Sequence, residues 1–242
     1  MSRWLRLVFI ALIFVLPGCK DKKVDDTLRV GIATDYPPFE YKENGELVGF
    51  DVDLARLLAK EMEKEVSFVE MRFRNTFDAI KDNSVDVVIS TVTTSQERRK
   101  DYEFSRCYYS ESLAAVYEKN EPYLNAEELA HAKLACQLGT TAERWIKEHV
   151  QGAQLVMMDN PRQLIDALKA GHVDCVVIDG LQAREFCRQN PALANSVISQ
   201  SDEGYAVLMK KQSLLKEKVN IALRKLETTG ELGRLKAKWL EN

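Results

Sequence analysis

Histidine and cysteine are scarce in this chain, with three and five among 242 residues. His131, His149 and His172 stand apart from one another, and HExxH is missing, so no histidine-based metal centre is written into the sequence. The cysteines match no zinc spacing and include no CxxC; in a chain this long they are also too few to staple a disulfide miniprotein. GxGxxG, GxxxxGK[ST] and GxSxG are absent as well. That removes the Rossmann fingerprint, the P-loop and the nucleophile elbow, and no cofactor is expected. Six Pro and eleven Gly exclude collagen-like and low-complexity chains. A net charge of −3 offers no global basic field to recruit nucleic acid. What is present is ordinary for a soluble globular chain: 45% hydrophobic and 29% charged residues, at a length that suits one large domain or two small lobes.

The first residues carry an address. Arg3 and Arg6 precede an apolar run over 7–16, followed by Pro17, Gly18 and Cys19. Ten apolar residues make about 15 Å of helix, half of a bilayer core, so the run reads as a secretory signal and not as a span. Leu16-Pro17-Gly18-Cys19 also resembles a bacterial lipobox, which would make 1–18 a signal peptide and Cys19 the lipidated first residue of the mature chain. Without that leader 32 basic residues face 37 acidic ones. The charged stretch 19–26 suits a tether. Export would bring Cys107, Cys136, Cys175 and Cys187 into a disulfide-permissive compartment, although Cys136 and Cys175 lie in apolar strand-like runs where a thiol is usually a small core group.

Strand-like and helix-like segments alternate along the chain, the pattern of an α/β fold with largely parallel sheets. Strands are expected at 28–32, 66–70 and 85–90, with helices at 51–64 and 75–81. The pattern then restarts. Strands are expected at 111–117, 133–137, 154–158, 173–178 and 205–209. Helices are expected after Asn125, at 142–149, after the Asn160-Pro161 cap, through Glu185 to Arg188, at 213–227 and at 231–240. Two such units with a late return predict two lobes: 27–110 with 206–242, and 111–205. Ligands in such sheets bind outside the carboxyl ends of the strands, in a cleft between the halves.

The stretch Ser90-Thr91-Val92-Thr93-Thr94-Ser95-Gln96-Glu97-Arg98, at the end of a buried strand, gathers hydroxyls and backbone amides before a guanidinium. That combination suits a carboxylate: a bidentate fork supported by amide and hydroxyl donors. Gly139-Thr140-Thr141 stands at a helix N-terminus, where N–H groups favour anions. Asp179 ends another buried strand at the same rim and suits a cationic amine. A carboxylate holder and an ammonium holder on facing lobes imply a zwitterion, an α-amino acid.

At these residues the chain resembles the polar amino acid solute-binding proteins of bacterial ABC importers, from about Leu28 to Leu240. The resemblance runs through Tyr36-Pro37-Pro38-Phe39-Glu40, Gly49-Phe50-Asp51-Val52-Asp53-Leu54-Ala55, the 90–98 stretch, Gly139-Thr140-Thr141, Val173-Asp174 with Asp179, and Glu203-Gly204-Tyr205. It implies the two-lobed, type II periplasmic-binding-protein-like fold, with the ligand between the lobes. Tyr36 and Phe73 would sandwich the aliphatic part of the ligand, and Ser90, Thr91 and Thr93 would supply hydroxyl and amide contacts. Arg98, helped by the Thr141 amide, would hold the carboxylate. Asp179 would hold the ammonium, and Gln137 would approach the side chain. The pattern departs at Ala33, three residues before Tyr36, where binders of basic amino acids often carry an acid, and at Arg74, where an acid is common. Arginine and glutamine are the leading ligands.

The implied function is a lipid-anchored, monomeric receptor at the periplasm or cell surface that delivers its amino acid to an ABC permease. Two other classes remain. Cyclohexadienyl dehydratases resemble this family, but where that branch carries a general-acid Glu this chain has Gln182, which has no acidic proton to give. A ligand-sensing module would need a separate signalling partner.

Overall fold

The computed structural model describes residues 26–241. The leader 1–18, Cys19 and the tether up to Asp25 lie outside the described residues.

The described residues open with β1 (Thr27–Ile32), β2 (Asp35–Tyr36), β3 (Glu40–Glu43) and β4 (Glu46–Val48). Asn44 and Gly45 take φ of 52° and 86°, the doubly left-handed turn that matches strand twist, so Glu43 pairs with Glu46 across a two-residue hairpin. Gly49 then sits at φ 129°, and a Cβ there would fall 2.2 Å from the Phe39 carbonyl oxygen; no other residue fits. Helix α1 (Phe50–Glu61) follows, burying Leu54, Ala55 and Leu58 on one face. Next come β5 (Glu65–Glu70), a 3₁₀ turn at Phe73–Asn75, α2 (Thr76–Lys81), β6 (Val87–Val88), α3 (Arg98–Asp101) and β7 (Tyr102–Phe104).

The second unit starts with β8 (Tyr109–Glu118) and runs through β9 (Lys133–Gln137), α4 (Thr141–His149), β10 (Gln154–Met158), α5 (Pro161–Lys169), β11 (Cys175–Asp179) and α6 (Gly180–Gln189). It ends in β12 (Leu193–Tyr205), after which β13 (Leu208–Lys210), α7 (Leu215–Thr228) and α8 (Glu231–Leu240) complete the chain.

Two five-stranded sheets result, in the orders β5-β1-β6-β13-β7 and β10-β9-β11-β8-β12. In each, three neighbouring strands are parallel and the remaining two add antiparallel. The fold is two-lobed α/β, as expected. The chain crosses from the first sheet to the second between Phe104 and Tyr109, and returns between Tyr205 and Leu208. After the return, α7 and α8 pack on α1, and the Trp239 indole donates to Asp53 at 2.9 Å. Among the described residues no helix is long and apolar enough to cross a membrane.

Two local expectations are corrected, and one strand forms where none was expected. The Asn125–Glu128 side chains do bond the backbone, with Asn125 Oδ1 accepting from the Glu128 N–H at 3.0 Å and Glu128 accepting from the Leu124 N–H at 2.6 Å. No helix follows, because His131 turns left-handed at φ 68° and the Lys133 N–H is taken by Asp174 as β9 begins. The strand expected over 85–90 narrows to Val87–Val88. Strand β12 lies in a stretch rich in Ser, Asn and Gln that has no alternating pattern; its partner β8 makes it a strand. Cys136 and Cys175 are fully buried, and all four described cysteines are free. Burial pushes the Cys136 thiol up to about 12, so it is an inert core group.

Candidate functional site

Loops at the carboxyl ends of the parallel strands bring the site together. After β6, Thr91 takes φ 47°, a left-handed conformation that is an outlier for a β-branched residue and marks a position held by its surroundings. The chain then runs to α3, where the Ser95 hydroxyl accepts the Arg98 N–H at 3.1 Å. The Arg98 guanidinium lies 4.8 Å from the centre of the Phe77 ring and donates to the Thr93 carbonyl at 2.7 Å and the Gly139 carbonyl at 2.8 Å. Its fork therefore joins the two lobes. Burial, and then Arg144, lower its pKa to about 10, so it is still a cation at neutral pH.

From the second lobe, Gln137 ends β9 and donates to the Asp159 carbonyl at 3.0 Å. Thr140 caps α4: its hydroxyl donates to the Gln137 carbonyl at 2.7 Å and accepts from the Glu143 N–H at 3.4 Å. Thr141, the first helical residue, has no intrahelical acceptor for its N–H, which is free for an anion. Asp179 ends β11. Its Oδ2 accepts the hydroxyls of Tyr36 at 3.0 Å and Tyr205 at 2.5 Å. Burial raises Asp179 to about 6, with Glu111 adding to the rise while the two phenols and Arg98 oppose it.

Eight of the nine expected ligand residues border one cavity: Tyr36, Phe73, Thr91, Thr93, Arg98, Gln137, Thr141 and Asp179, joined by Thr140. Ser90 is the exception. Its hydroxyl turns into the core, accepting the Ala33 N–H at 3.0 Å and donating to Glu40 at 2.9 Å, so the expected hydroxyl contact is spent on the scaffold. The Thr91 hydroxyl likewise points to Glu40, at 3.2 Å. Tyr205, Phe77 and Thr140 were not among the expected site residues. Tyr205 had a signal in Glu203-Gly204-Tyr205, but its contact with Asp179 depends on where β12 crosses between the lobes. Arg74, the unexpected cation beside Phe73, is paired with Asp159 at 3.2 Å, as is Arg72 at 2.8 Å.

The cavity holds about 20 Å³, room for little more than one water molecule. Direct ties across the cleft close it: Tyr36 to Asp179, Arg98 to Gly139, and Arg72 and Arg74 to Asp159. A larger guest has to part these walls.

The sequence profile of the bacterial extracellular solute-binding proteins, family 3, matches residues 28–242. The chain belongs to that family. The arginine-binding extracellular protein ArtP of Bacillus subtilis is 33% identical, across 99% of this chain and 98% of its own. The L-cystine-binding protein TcyJ of Escherichia coli K12 is 32% identical, across 88% and 82%. Among solved structures, an ancestral arginine-binding protein bound to arginine superposes with a TM-score of 0.85 at 35% identity, covering 88% of this chain and 98% of that one. The same ancestral protein bound to glutamine also gives 0.85 at 35%. These family members are binding proteins.

Proposed function

We propose that this family 3 protein is the receptor of an ABC importer, lipid-anchored through Cys19 outside the cytoplasmic membrane, which closes on one free polar L-amino acid and delivers it to a permease. One observation carries the reading. A cation, Arg98, and an anion, Asp179, converge on a single cavity with Tyr36 and Phe73 in its walls. A zwitterion with a short aliphatic stem complements that arrangement at both ends, and the Thr141 N–H adds a second donor for the carboxylate. The lobes we assign are 27–110 with 206–242, and 111–205, supported by the two strand crossings. Opening at the hinge there would admit an amino acid, which would take over the fork that Arg98 now gives to backbone carbonyls and stabilise the closed form by touching both lobes.

Arginine and glutamine are the leading ligands, supported by the relatives' arginine- and glutamine-bound forms; cystine follows from TcyJ. A thermal-shift screen of the mature protein against the common amino acids and cystine tests this. The true ligand at about 100 times its Kd adds about 2.7 kcal/mol of stability. No shift with any amino acid would sink the reading. A dehydratase role finds no support at Gln182, which is fully buried and brings no acidic proton.

Lipid anchoring has its own test. Cys19→Ser should release the protein from the membrane fraction or leave the precursor uncut. Identical fractionation of variant and wild type, with an unmodified wild-type Cys19, would remove the anchor from the proposal.

A further inference from the structure

Two carboxyl side chains lie fully buried behind the cavity, and amino-acid binding as proposed makes no use of them. Glu40 opens β3 and Asp51 is in the first turn of α1; both are 0% exposed. Glu40 Oε1 accepts the hydroxyls of Ser90 and Thr91 at 2.9 and 3.2 Å. Asp51 Oδ2 accepts the Thr91 N–H at 2.7 Å and the Tyr108 hydroxyl at 3.0 Å. If both groups were carboxylates, Glu40 Oε2 and Asp51 Oδ1 would be buried without a partner.

Two such neighbours cannot both hold a charge. Burial, and then the Asp51 charge, push Glu40 well above the carboxylate range. Burial lifts Asp51 to about 7, against the hydrogen bonds from Thr91, Tyr108 and Glu40. A proton on Glu40, donated to Asp51, supplies the bond that both orphaned oxygens need. The other titratable groups facing the pair are Tyr36 and Asp35 beside Glu40, and Tyr108 beside both.

What the pair grips is Thr91, by its amide and its hydroxyl together. Thr91 is the left-handed residue on the cavity wall, a conformation that persists only where the surroundings impose it. We propose that Glu40 and Asp51 are a positioning pair that shares one proton and clamps Thr91 so that the pocket keeps the shape an amino acid needs. The clamp is independent of the ligand's identity; its purpose rests on the function proposed above. Tyr108 begins the crossing into β8, and its N–H donates to the Tyr205 carbonyl at 2.9 Å, so the same pair also braces the hinge.

Conservative rescue tests the proposal. Glu40→Gln keeps the shape, accepts the two hydroxyls through its carbonyl and donates an amide N–H to Asp51, standing in permanently for the shared proton. Glu40→Ala removes the whole set. Glu40→Gln should bind the amino acid found by the screen within about threefold of wild type, and Glu40→Ala about tenfold or more weakly, because it leaves Asp51 and Thr91 short of partners. At about pH 8, where exposed carboxyls are ionised, the infrared spectrum of the wild type should keep the C=O stretch of one protonated carboxyl, and Glu40→Gln should lose it. The Thr91 amide resonance should be preserved in Glu40→Gln and displaced in Glu40→Ala. Should Glu40→Ala fail to fold, the infrared band and the Thr91 resonance of Glu40→Gln decide alone. A wild type without that band, a displaced Thr91 amide in Glu40→Gln, or Glu40→Ala binding as tightly as wild type would each overturn the pair. A wild type that binds no amino acid defeats the proposed function instead, and the infrared and amide readouts still judge the clamp.

Discussion

Arg98→Ala is expected to weaken amino-acid binding by about 30-fold to several-thousand-fold. The guanidinium is the cation of the cavity, and its planar fork already makes two short bonds to carbonyls, at 2.7 and 2.8 Å. A ligand carboxylate takes that fork more strongly than a neutral carbonyl does. Removing it leaves the carboxylate enclosed with backbone amides alone, and truncating one partner of such a pair costs roughly 2–5 kcal/mol. The neighbouring Arg99 is the control. It is exposed on the other side of the turn, over the Phe104 ring at 5.4 Å, and outside the cavity. Arg99→Ala should change the Kd by less than about threefold. Calorimetry on both variants settles the matter, and equal small losses would reduce the basic run to a solvated face.

Asp179 should carry the second large effect. Asp179→Ala would strand two buried phenols, Tyr36 and Tyr205, along with the ammonium, confounding binding with stability. Asp179→Asn is the cleaner variant because its carbonyl still accepts from the phenols while the charge is gone. It should bind at least about tenfold more weakly and stay folded. A pH series adds a signature. Burial raises Asp179 to about 6, so the carboxyl must lose a proton to receive an ammonium below that pH. Wild-type affinity should then fall by up to about tenfold per pH unit below 6, as the linkage of one proton requires. The Asp179→Asn variant should lack this acid limb, because its side chain has no proton to lose. An acid limb unchanged in Asp179→Asn would place the titrating group elsewhere.

How far these residues were legible in the chain differs from one to the next. Arg98 and Asp179 were readable because each ends a segment with its own local signal: hydroxyls and a guanidinium after a buried strand, and an acid at the tip of another. Phe77 was not, since an aromatic on a short helix carries no mark of the guanidinium it will lie beneath. The Asn44-Gly45 turn was a sequence-level hairpin signal that the alternation of longer segments obscured. The Ser90 hydroxyl faces the scaffold for a physical reason. A hydroxyl at a strand end can face the ligand or the scaffold, and the acceptor that draws it inward, Glu40, is 50 residues away.

Local chemistry determined by itself the α/β alternation, the Asn160-Pro161 cap, the buried thiols of Cys136 and Cys175, and the charge types at the site. Each depends on periodicity or on residues within one turn of each other. Tertiary structure alone decided that β12 is a strand, that the Asn125 cap opens no helix, and that Tyr205 reaches Asp179. It also set the enclosure that draws Arg98 down to about 10 and lifts Asp179 to about 6. Those outcomes depend on which distant segments meet and how much water they exclude, and neither is encoded within a short window of the chain.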